Sequence, residues 1–125
     1  MVIGLGLELL RLDGVRRSLA ERGTAWIEAT WTEDERATCY SRVDPAPGLA
    51  ARLAAKIAAL SALGEPAGDH LEIEIVRQPS GKPDLVLRGR ARDAADRLGV
   101  SAVHVTLTHA ETHVVAFVLL EGSKP

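Results

Sequence analysis

Few side chains in this sequence stand out as able to do chemistry, and the first of them is Glu8. It is a carboxylate inside an apolar stretch, with Leu7 before it and Leu9 after it. Because an unpaired buried charge is costly, Glu8 should meet a cation, a hydrogen-bond network or water. The alternative is that Glu8 lies on a solvated face of the strand, and the sequence leaves both open.

Two further groups of side chains have the chemistry to bind an anion. Arg52 and Lys56 are four residues apart beside an apolar helical stripe, and Thr106, Thr108 and His109 end a strand. Hydroxyl groups suit phosphate oxygens, although threonine is also common in strands for its β-propensity alone. For the two cations a solvated helix face is the favoured alternative. His109 is a candidate ligand or base, with a structural role as the default.

Other motifs are weak or missing. Ser80-Gly81-Lys82-Pro83 resembles a phosphate-binding loop but lacks the Walker pattern, so a plain hairpin turn is favoured. By alternation, His104 shares a strand face with Thr106 and Thr108, while His109 turns to the other face. The histidines do not have the spacing of a zinc site with Cys39.

Length and composition predict one domain in a chain of 125 residues. The formal net charge of −2 gives no general reason to bind nucleic acid or anionic lipid. Cys39 is the single cysteine, which excludes an internal disulfide and fits a reducing cytoplasm. No basic leader and no apolar run of spanning length is visible, so we expect neither a signal peptide nor a membrane span.

The order of the segments predicts an α+β fold with an antiparallel sheet. Residues 2–10 indicate a buried strand, and residues 13–22 a short helix capped by Asp13 and ended by Gly23. The last third predicts a hairpin of strands 71–77 and 84–88, a helix at 90–98, and strands at 102–109 and 113–120.

Two helices in the middle of the chain are better marked. Thr32 and Glu35 are spaced as a capping box, so a helix should run to about Ser41. The clearest helix covers 48–63, where large apolar residues recur along one stripe: Leu49, Leu53, Ile57, Leu60 and Leu63. This long helix is the element on which we expect the sheet to pack.

Taken in order, these segments resemble the holo-acyl-carrier-protein synthases, which are 4′-phosphopantetheinyl transferases. The resemblance covers nearly the whole chain, and the ordered set of short motifs is more specific than any one of them. The similar segments are Ile3-Gly4-Leu5-Gly6-Leu7-Glu8, residues 26–39, residues 51–63, Ile73-Glu74-Ile75 with Gly81-Lys82-Pro83, and Val105-Thr106-Leu107-Thr108-His109.

The resemblance implies a 4′-phosphopantetheinyl transferase-like fold and a homotrimer with active sites between subunits. It implies that coenzyme A donates phosphopantetheine to an acyl carrier protein in fatty acid or polyketide biosynthesis, with Mg²⁺ as cofactor. Coenzyme contacts are expected from Arg52, Lys56, Ser61, Gly81, Lys82, Thr106, Thr108 and His109. Carrier-protein docking is expected from Arg11, Arg16, Arg17 and Arg22, with ordinary solubility as the alternative.

The sequence departs from the family at three positions of the catalytic centre. Glu8 stands for the strand aspartate, and Ile57 replaces the helix glutamate that binds the metal and helps deprotonate the acceptor serine. Ser61 replaces a phosphate-binding lysine, and the loop between Gly64 and Ile73 is short. We therefore expect family chemistry to be impaired or changed, with Glu8 and His109 as the remaining acid–base candidates. The hypotheses are a protein repurposed for carrier- or coenzyme-bound groups, a slow transferase with Glu8 as metal ligand, and a non-enzymatic carrier-protein partner.

Overall fold

The fold, taken from a computed structural model that describes residues 1–123, alternates strands and helices and confirms the α+β class. A short 3-10 turn, His70–Glu72, precedes the second strand. The elements are β1 (Val2–Arg11), α1 (Leu12–Thr30), α2 (Glu33–Tyr40), α3 (Ala46–Ala62), β2 (Ile73–Arg77), β3 (Pro83–Leu87), α4 (Gly89–Leu98), β4 (Val100–His109) and β5 (His113–Gly122).

The strands form two antiparallel sheets. The larger one has the order β1-β5-β4, and the hairpin of β2 and β3 forms the smaller one. One face of the larger sheet packs against α3 so closely that a Cβ added to Gly6 would lie 1.9 Å from the carbonyl oxygen of Ala58. Only glycine allows this approach of strand to helix. The even-numbered residues of β1 therefore face α3.

On β1 and β5, the opposite face of the larger sheet carries exposed apolar side chains in the described chain. Leu5, Leu7, Leu9 and Phe117 keep 55%, 66%, 58% and 38% of their surface exposed. Residues 2–10 were predicted to form a strand buried throughout, which is wrong for this face. A single helix layer covers one side of a sheet only, so alternate side chains of β1 point away from it. No helix within residues 1–123 is long and apolar enough to span a bilayer.

Helix α3 is the centre of the fold and is covered on nearly every side. Alanine dominates it, and Pro47 in the first turn and Gly64 at φ 75° beyond its end mark the boundaries. Arg52 and Lys56 were expected on a solvated face, which is wrong: they are 5% and 0% exposed. The reason is that the sheet, α1, α2 and β2 all pack around this helix.

Helix α1 is longer than predicted. Gly23 does break the helical backbone, with φ 79°, but a further helical stretch continues to Thr30. Asp13 lies in the first turn rather than at the N-cap, which is Arg11. Asp13 instead pairs with the Arg11 guanidinium at 3.1 Å.

The capping box at the start of α2 is confirmed. Thr32 Oγ1 accepts from the Glu35 amide at 3.2 Å, and Glu35 Oε1 accepts from the Thr32 amide at 2.9 Å. The predicted hairpin is also confirmed, although β2 is buried on both faces: Glu74 is only 5% exposed. Its carboxylate is held by Thr32 Oγ1 at 2.6 Å and Arg88 Nη1 at 2.9 Å. Burial raises the pKa of Glu74, but these hydrogen bonds outweigh it, so the pKa is lowered overall.

Candidate functional site

Glu8 lies on the face of β1 that packs against α3. It is opposite Ala116 of β5, two residues along the strand from Gly6, and it is half-buried. No salt bridge in residues 1–123 includes Glu8. The carboxylate is therefore reached by solvent on a strand that meets the central helix, a position from which it can accept a proton or bind a cation.

The side chain of Ile57 is apolar and packs beside other apolar groups. It is partly buried against the cluster of Trp31, Cys39, Leu49 and Leu53. Ser61, one helical turn later, is exposed at the end of α3. Neither residue carries a charge, so α3 offers no second carboxylate and no lysine beside Glu8.

His109 lies on the same sheet face as Glu8 but not next to it. Val114 is opposite His109, and Ala116, two residues further along β5, is opposite Glu8. Two strand spacings across and two residues along the sheet separate their backbones by about 12 Å. The two acid–base candidates therefore do not form a directly hydrogen-bonded pair.

His109 instead lies in a group of cations that we call the arginine cradle: Arg42, Arg52, Arg77 and His109. Burial lowers the pKa of His109, and the charges of Arg77, Arg52 and Arg42 lower it further. The same three arginines act on the buried thiol of Cys39, whose pKa is raised mainly by burial. The charges of Arg42, Arg52 and Arg77, which come from three parts of the chain, thus all act on His109 at the end of β4.

Arg52 forms the buried floor of the cradle and lacks its full set of partners. Its Nη1 donates to the Gly48 carbonyl at 3.3 Å, while its buried Nε has no hydrogen-bond partner. None of the three arginines pairs with a carboxylate in the described part of the chain. A fixed cluster of guanidinium groups with an unsatisfied donor is the environment that phosphate oxygens satisfy.

The loop after β2 connects with this cradle. Arg77 Nη1 donates to the Gly81 carbonyl at 2.9 Å. Lys82, in the same loop, lines a separate polar cavity of about 370 Å³ together with Thr106 and His104. The structure therefore brings Lys82 and Thr106, which are far apart in sequence, to one cavity. Thr108 is exposed on the same strand face as Thr106 and His104, as predicted.

Lys56 does not present its charge at the surface. Its ammonium pairs with Glu35 Oε1 at 2.7 Å and donates to the carbonyls of His70 and Ile73. Burial lowers the pKa of Lys56, against the effect of Glu35. The expected coenzyme contact of Lys56 does not agree with this position, because all three of its N–H groups are directed into the interior.

Full-length relatives and solved structures agree with this architecture. A protein named holo-[acyl-carrier-protein] synthase from Anaeromyxobacter sp. (strain K) is 44% identical over 128 residues, covering 100% of both chains. One from Syntrophotalea carbinolica is 39% identical, covering 96% of each. The chain belongs to the holo-[acyl-carrier-protein] synthase family. No family model matches it.

Solved synthase structures confirm the 4′-phosphopantetheinyl transferase-like fold. The holo-[acyl-carrier-protein] synthase of Neisseria meningitidis superposes with a TM-score of 0.89 at 27% identity, covering 97% of this chain and 99% of that one. The enzyme of Bacillus anthracis in complex with CoA (3′,5′-ADP) gives 0.81 at 26% identity, covering 98% and 99%. The family resemblance inferred from the short motifs is therefore confirmed.

The residues of this synthase-family chain do not fit the two-carboxylate magnesium site that the resemblance implies. Glu8 has a carboxylate that would hold the ion, whereas Ile57 has no oxygen in its side chain. Among residues 1–123, no three His, Cys, Asp or Glu side chains come together as a metal-binding group. Carboxylate oxygens are the protein ligands that Mg²⁺ prefers, and only one of the two positions that the resemblance assigns to the ion carries them here.

The four arginines proposed for carrier docking lie at the end of β1 and along the first half of α1. Arg11 pairs with Asp13, and Arg16 with Asp44 at 2.6 Å, both at exposed positions. Arg17 is exposed, and the Arg22 guanidinium lies 4.6 Å from the ring centre of Trp26. Exposed pairs of this kind leave the cations accessible to a competing acidic surface.

Sequence reasoning missed Arg42 and Arg77. Arg42 follows α2 in a turn, and Arg77 ends β2 immediately before the predicted hairpin turn. Neither belongs to a motif of its own. The sequence offered one signal for them: both arginines lie close to the predicted ends of their segments, a helix ending near Ser41 and a strand ending at Arg77.

Proposed function

We propose that this protein binds coenzyme A in the arginine cradle and docks an acyl carrier protein, with magnesium-dependent phosphopantetheine transfer strongly slowed. One contrast carries the proposal. Within residues 1–123 the three arginines of the cradle have no carboxylate partners, whereas the catalytic centre keeps Glu8 and has Ile57 where a second carboxylate would stand. Coenzyme recognition is therefore better supported than fast chemistry.

A phosphate group of coenzyme A is the ligand that the cradle suits. Arg52 offers an unpartnered Nε at the floor, and Arg42, Arg77 and His109 are exposed around it. The cavity beside Lys82 and Thr106 provides further donors for the nucleotide part. Support also comes from the Bacillus anthracis relative, whose structure contains CoA (3′,5′-ADP).

The transfer reaction needs a proton acceptor for the carrier-protein serine as the serine oxygen attacks phosphorus and 3′,5′-ADP leaves. Ile57 cannot accept a proton, and Glu8 is the one carboxylate identified at the centre. Loss of a general base slows a reaction by about 10²- to 10⁴-fold. The chain therefore keeps the binding parts of a transferase and lacks one part of the chemistry.

The exposed sheet face supports the expected homotrimer. Leu5, Leu7, Leu9 and Phe117 form a contiguous apolar surface across β1 and β5, which in water favours burial against another chain. We propose that copies of this chain pack there. Leu7→Lys should reduce the oligomer to monomer in light scattering, whereas the exposed Val43→Lys, away from the sheet, should leave its mass unchanged.

Carrier docking is proposed at the groove between α1 and α3. The groove has a volume of about 230 Å³, is lined largely by apolar side chains including Leu10, Trp26 and Leu53, and includes Arg22. An acidic helix with apolar residues on one side would match this combination. Arg22→Glu should weaken binding of apo carrier protein without changing coenzyme A affinity.

An intact-mass assay of apo carrier protein with coenzyme A and Mg²⁺ tests the transfer step. We expect little gain of the phosphopantetheine mass at catalytic protein concentrations, and a rise on combining Ile57→Glu with Ser61→Lys. The matched control, Ile57→Leu, keeps an apolar side chain and should change nothing. Rapid multiple-turnover transfer by the unmodified chain would overturn the proposal.

A slow but genuine transferase is the second candidate. It is favoured by the 44% identity, over the full length, to a protein named holo-[acyl-carrier-protein] synthase and by the carboxylate kept at Glu8. In that case Glu8→Gln abolishes a slow, Mg²⁺-dependent mass gain. Carrier binding with no coenzyme A binding would instead indicate a non-enzymatic partner.

A further inference from the structure

A buried ion pair in the interior lies outside the catalytic centre and the coenzyme contacts. Glu35 is 2% exposed and Lys56 is 0% exposed. Glu35 Oε1 accepts from Lys56 and from the Thr32 amide, and Oε2 accepts from the Ile75 amide at 3.0 Å. Lys56 has Glu35 and two carbonyls as acceptors. Each polar atom of the pair is thus satisfied, and the pair ties α2, α3 and β2 together.

Two of these elements carry an arginine of the cradle, and the third leads directly into one. Arg52 precedes Lys56 by one turn of α3. Arg77 is two residues beyond Ile75 in β2, about 7 Å along the strand. Arg42 lies in the turn just after α2, where its amide donates to the Cys39 carbonyl at 3.2 Å. Each arginine is therefore close in sequence to a residue that the ion pair contacts or contains.

We infer that the Glu35–Lys56 pair positions the arginine cradle, setting where α2 and β2 stand against α3 so that Arg42, Arg52 and Arg77 converge on one anion. The inference rests on the proposed function of the cradle as a coenzyme A site. Glu35 and Lys56 are positioning residues here, since neither reaches the ligand.

A buried ion pair can orient the elements that carry it, which an apolar contact does not do. Replacing a buried ion pair by apolar side chains is often neutral or stabilising, so stability alone is weak grounds for keeping it. A charged hydrogen-bonded pair differs in that it fixes direction and register between elements. The three arginine charges repel one another, which tends to move the segments that carry them apart. The Glu35–Lys56 pair would oppose this by holding those segments together.

The test is a mutant cycle that joins the pair to the cradle. Affinities for coenzyme A and for inorganic pyrophosphate are measured by calorimetry in the unmodified chain, in Glu35→Gln/Lys56→Met, in Arg52→Met and in the combined variant. Loss of one charge-assisted phosphate contact corresponds to about 10- to 160-fold in affinity. We expect a loss in that range in Glu35→Gln/Lys56→Met and a clearly smaller further loss when it is added to Arg52→Met, because only Arg42 and Arg77 then remain to be displaced.

This non-additivity separates positioning from general damage, because a merely destabilised fold would weaken binding by the same factor in both backgrounds. Arg92→Gln/Asp96→Asn removes an exposed ion pair on α4 and serves as the matched control, with unchanged affinity. If Glu35→Gln/Lys56→Met does not fold, Glu35→Gln/Lys56→Gln, which removes both charges and keeps hydrogen-bonding groups on both side chains, is measured in its place.

The outcomes distinguish this inference from the proposed function. Unchanged affinity in a folded pair variant, or additive losses, would overturn the positioning role while leaving the coenzyme site intact. Pyrophosphate binding that depends on Arg52 without coenzyme A binding would overturn the proposed function, and the cycle with pyrophosphate would still decide the role of the pair. Binding of neither probe to the unmodified chain overturns both.

Discussion

Replacing Arg52 by methionine should make the ligand-free protein more stable and its binding of coenzyme A weaker. Arg52 is 5% exposed, its Nε has no partner, and no carboxylate in residues 1–123 pairs with it. Leaving a buried donor unsatisfied costs about 1–3 kcal/mol. Methionine keeps a long, unbranched side chain and removes the donor and the charge. We therefore expect the free energy of unfolding to rise by about 1–3 kcal/mol.

Binding should change in the opposite direction. A hydrogen bond from a charged group contributes about 1.5–3 kcal/mol, which is about 10- to 160-fold in affinity. At a ligand concentration 100 times the dissociation constant, coenzyme A should stabilise the unmodified chain by about 2.7 kcal/mol. For a variant with 30-fold weaker binding, the same concentration should add only about 0.9 kcal/mol.

Urea unfolding, followed by tryptophan fluorescence with and without coenzyme A, measures both effects. Trp31 is fully buried and Trp26 is half-buried, so both should report loss of the native packing. Arg92→Met, at an exposed position on α4, is the control and should alter neither quantity appreciably. A less stable Arg52→Met that coenzyme A still stabilises by the full amount would refute the assignment of Arg52 to an anion site.

Further predictions concern packing and pH. Gly6→Ala should lower the free energy of unfolding by about 3 kcal/mol or more, because its Cβ meets the backbone of Ala58. Gly14→Ala, where nothing lies within 4 Å, should raise it by about 0.4–1 kcal/mol in the same denaturation assay. An anion favours protonated His109, and the pKa of His109 in the free protein is lowered below the ordinary 6.5, so coenzyme A affinity should keep rising as pH falls below 6.5, and His109→Asn should remove that component in calorimetry. The lowered pKa of Glu74 contributes stability that is present above its ordinary value of 4.5 and is lost as pH falls through the folded value. Glu74→Gln should therefore flatten the acid limb of the stability curve; an unchanged limb would contradict the role of its hydrogen bonds.

Local patterns in the sequence determined most of the elements. The capping box of Thr32 and Glu35 depends on a contact three residues apart, and the hairpin of β2 and β3 on two alternating segments with a turn between them. Both are short-range features, so the sequence contains what is needed to predict them. The ordered set of such segments also sufficed to indicate the family.

Tertiary structure alone decided which faces are covered and which cations meet. A helical stripe tells which side of α3 is apolar, but not that other elements also cover the side bearing Arg52 and Lys56. Arg42 and Arg77 are 35 positions apart in the chain and belong to no motif. They converge because α2 and β2 both pack on α3. Periodicity fixes where a side chain stands on its own element, whereas its burial and its charged neighbours depend on what the rest of the chain places against that element.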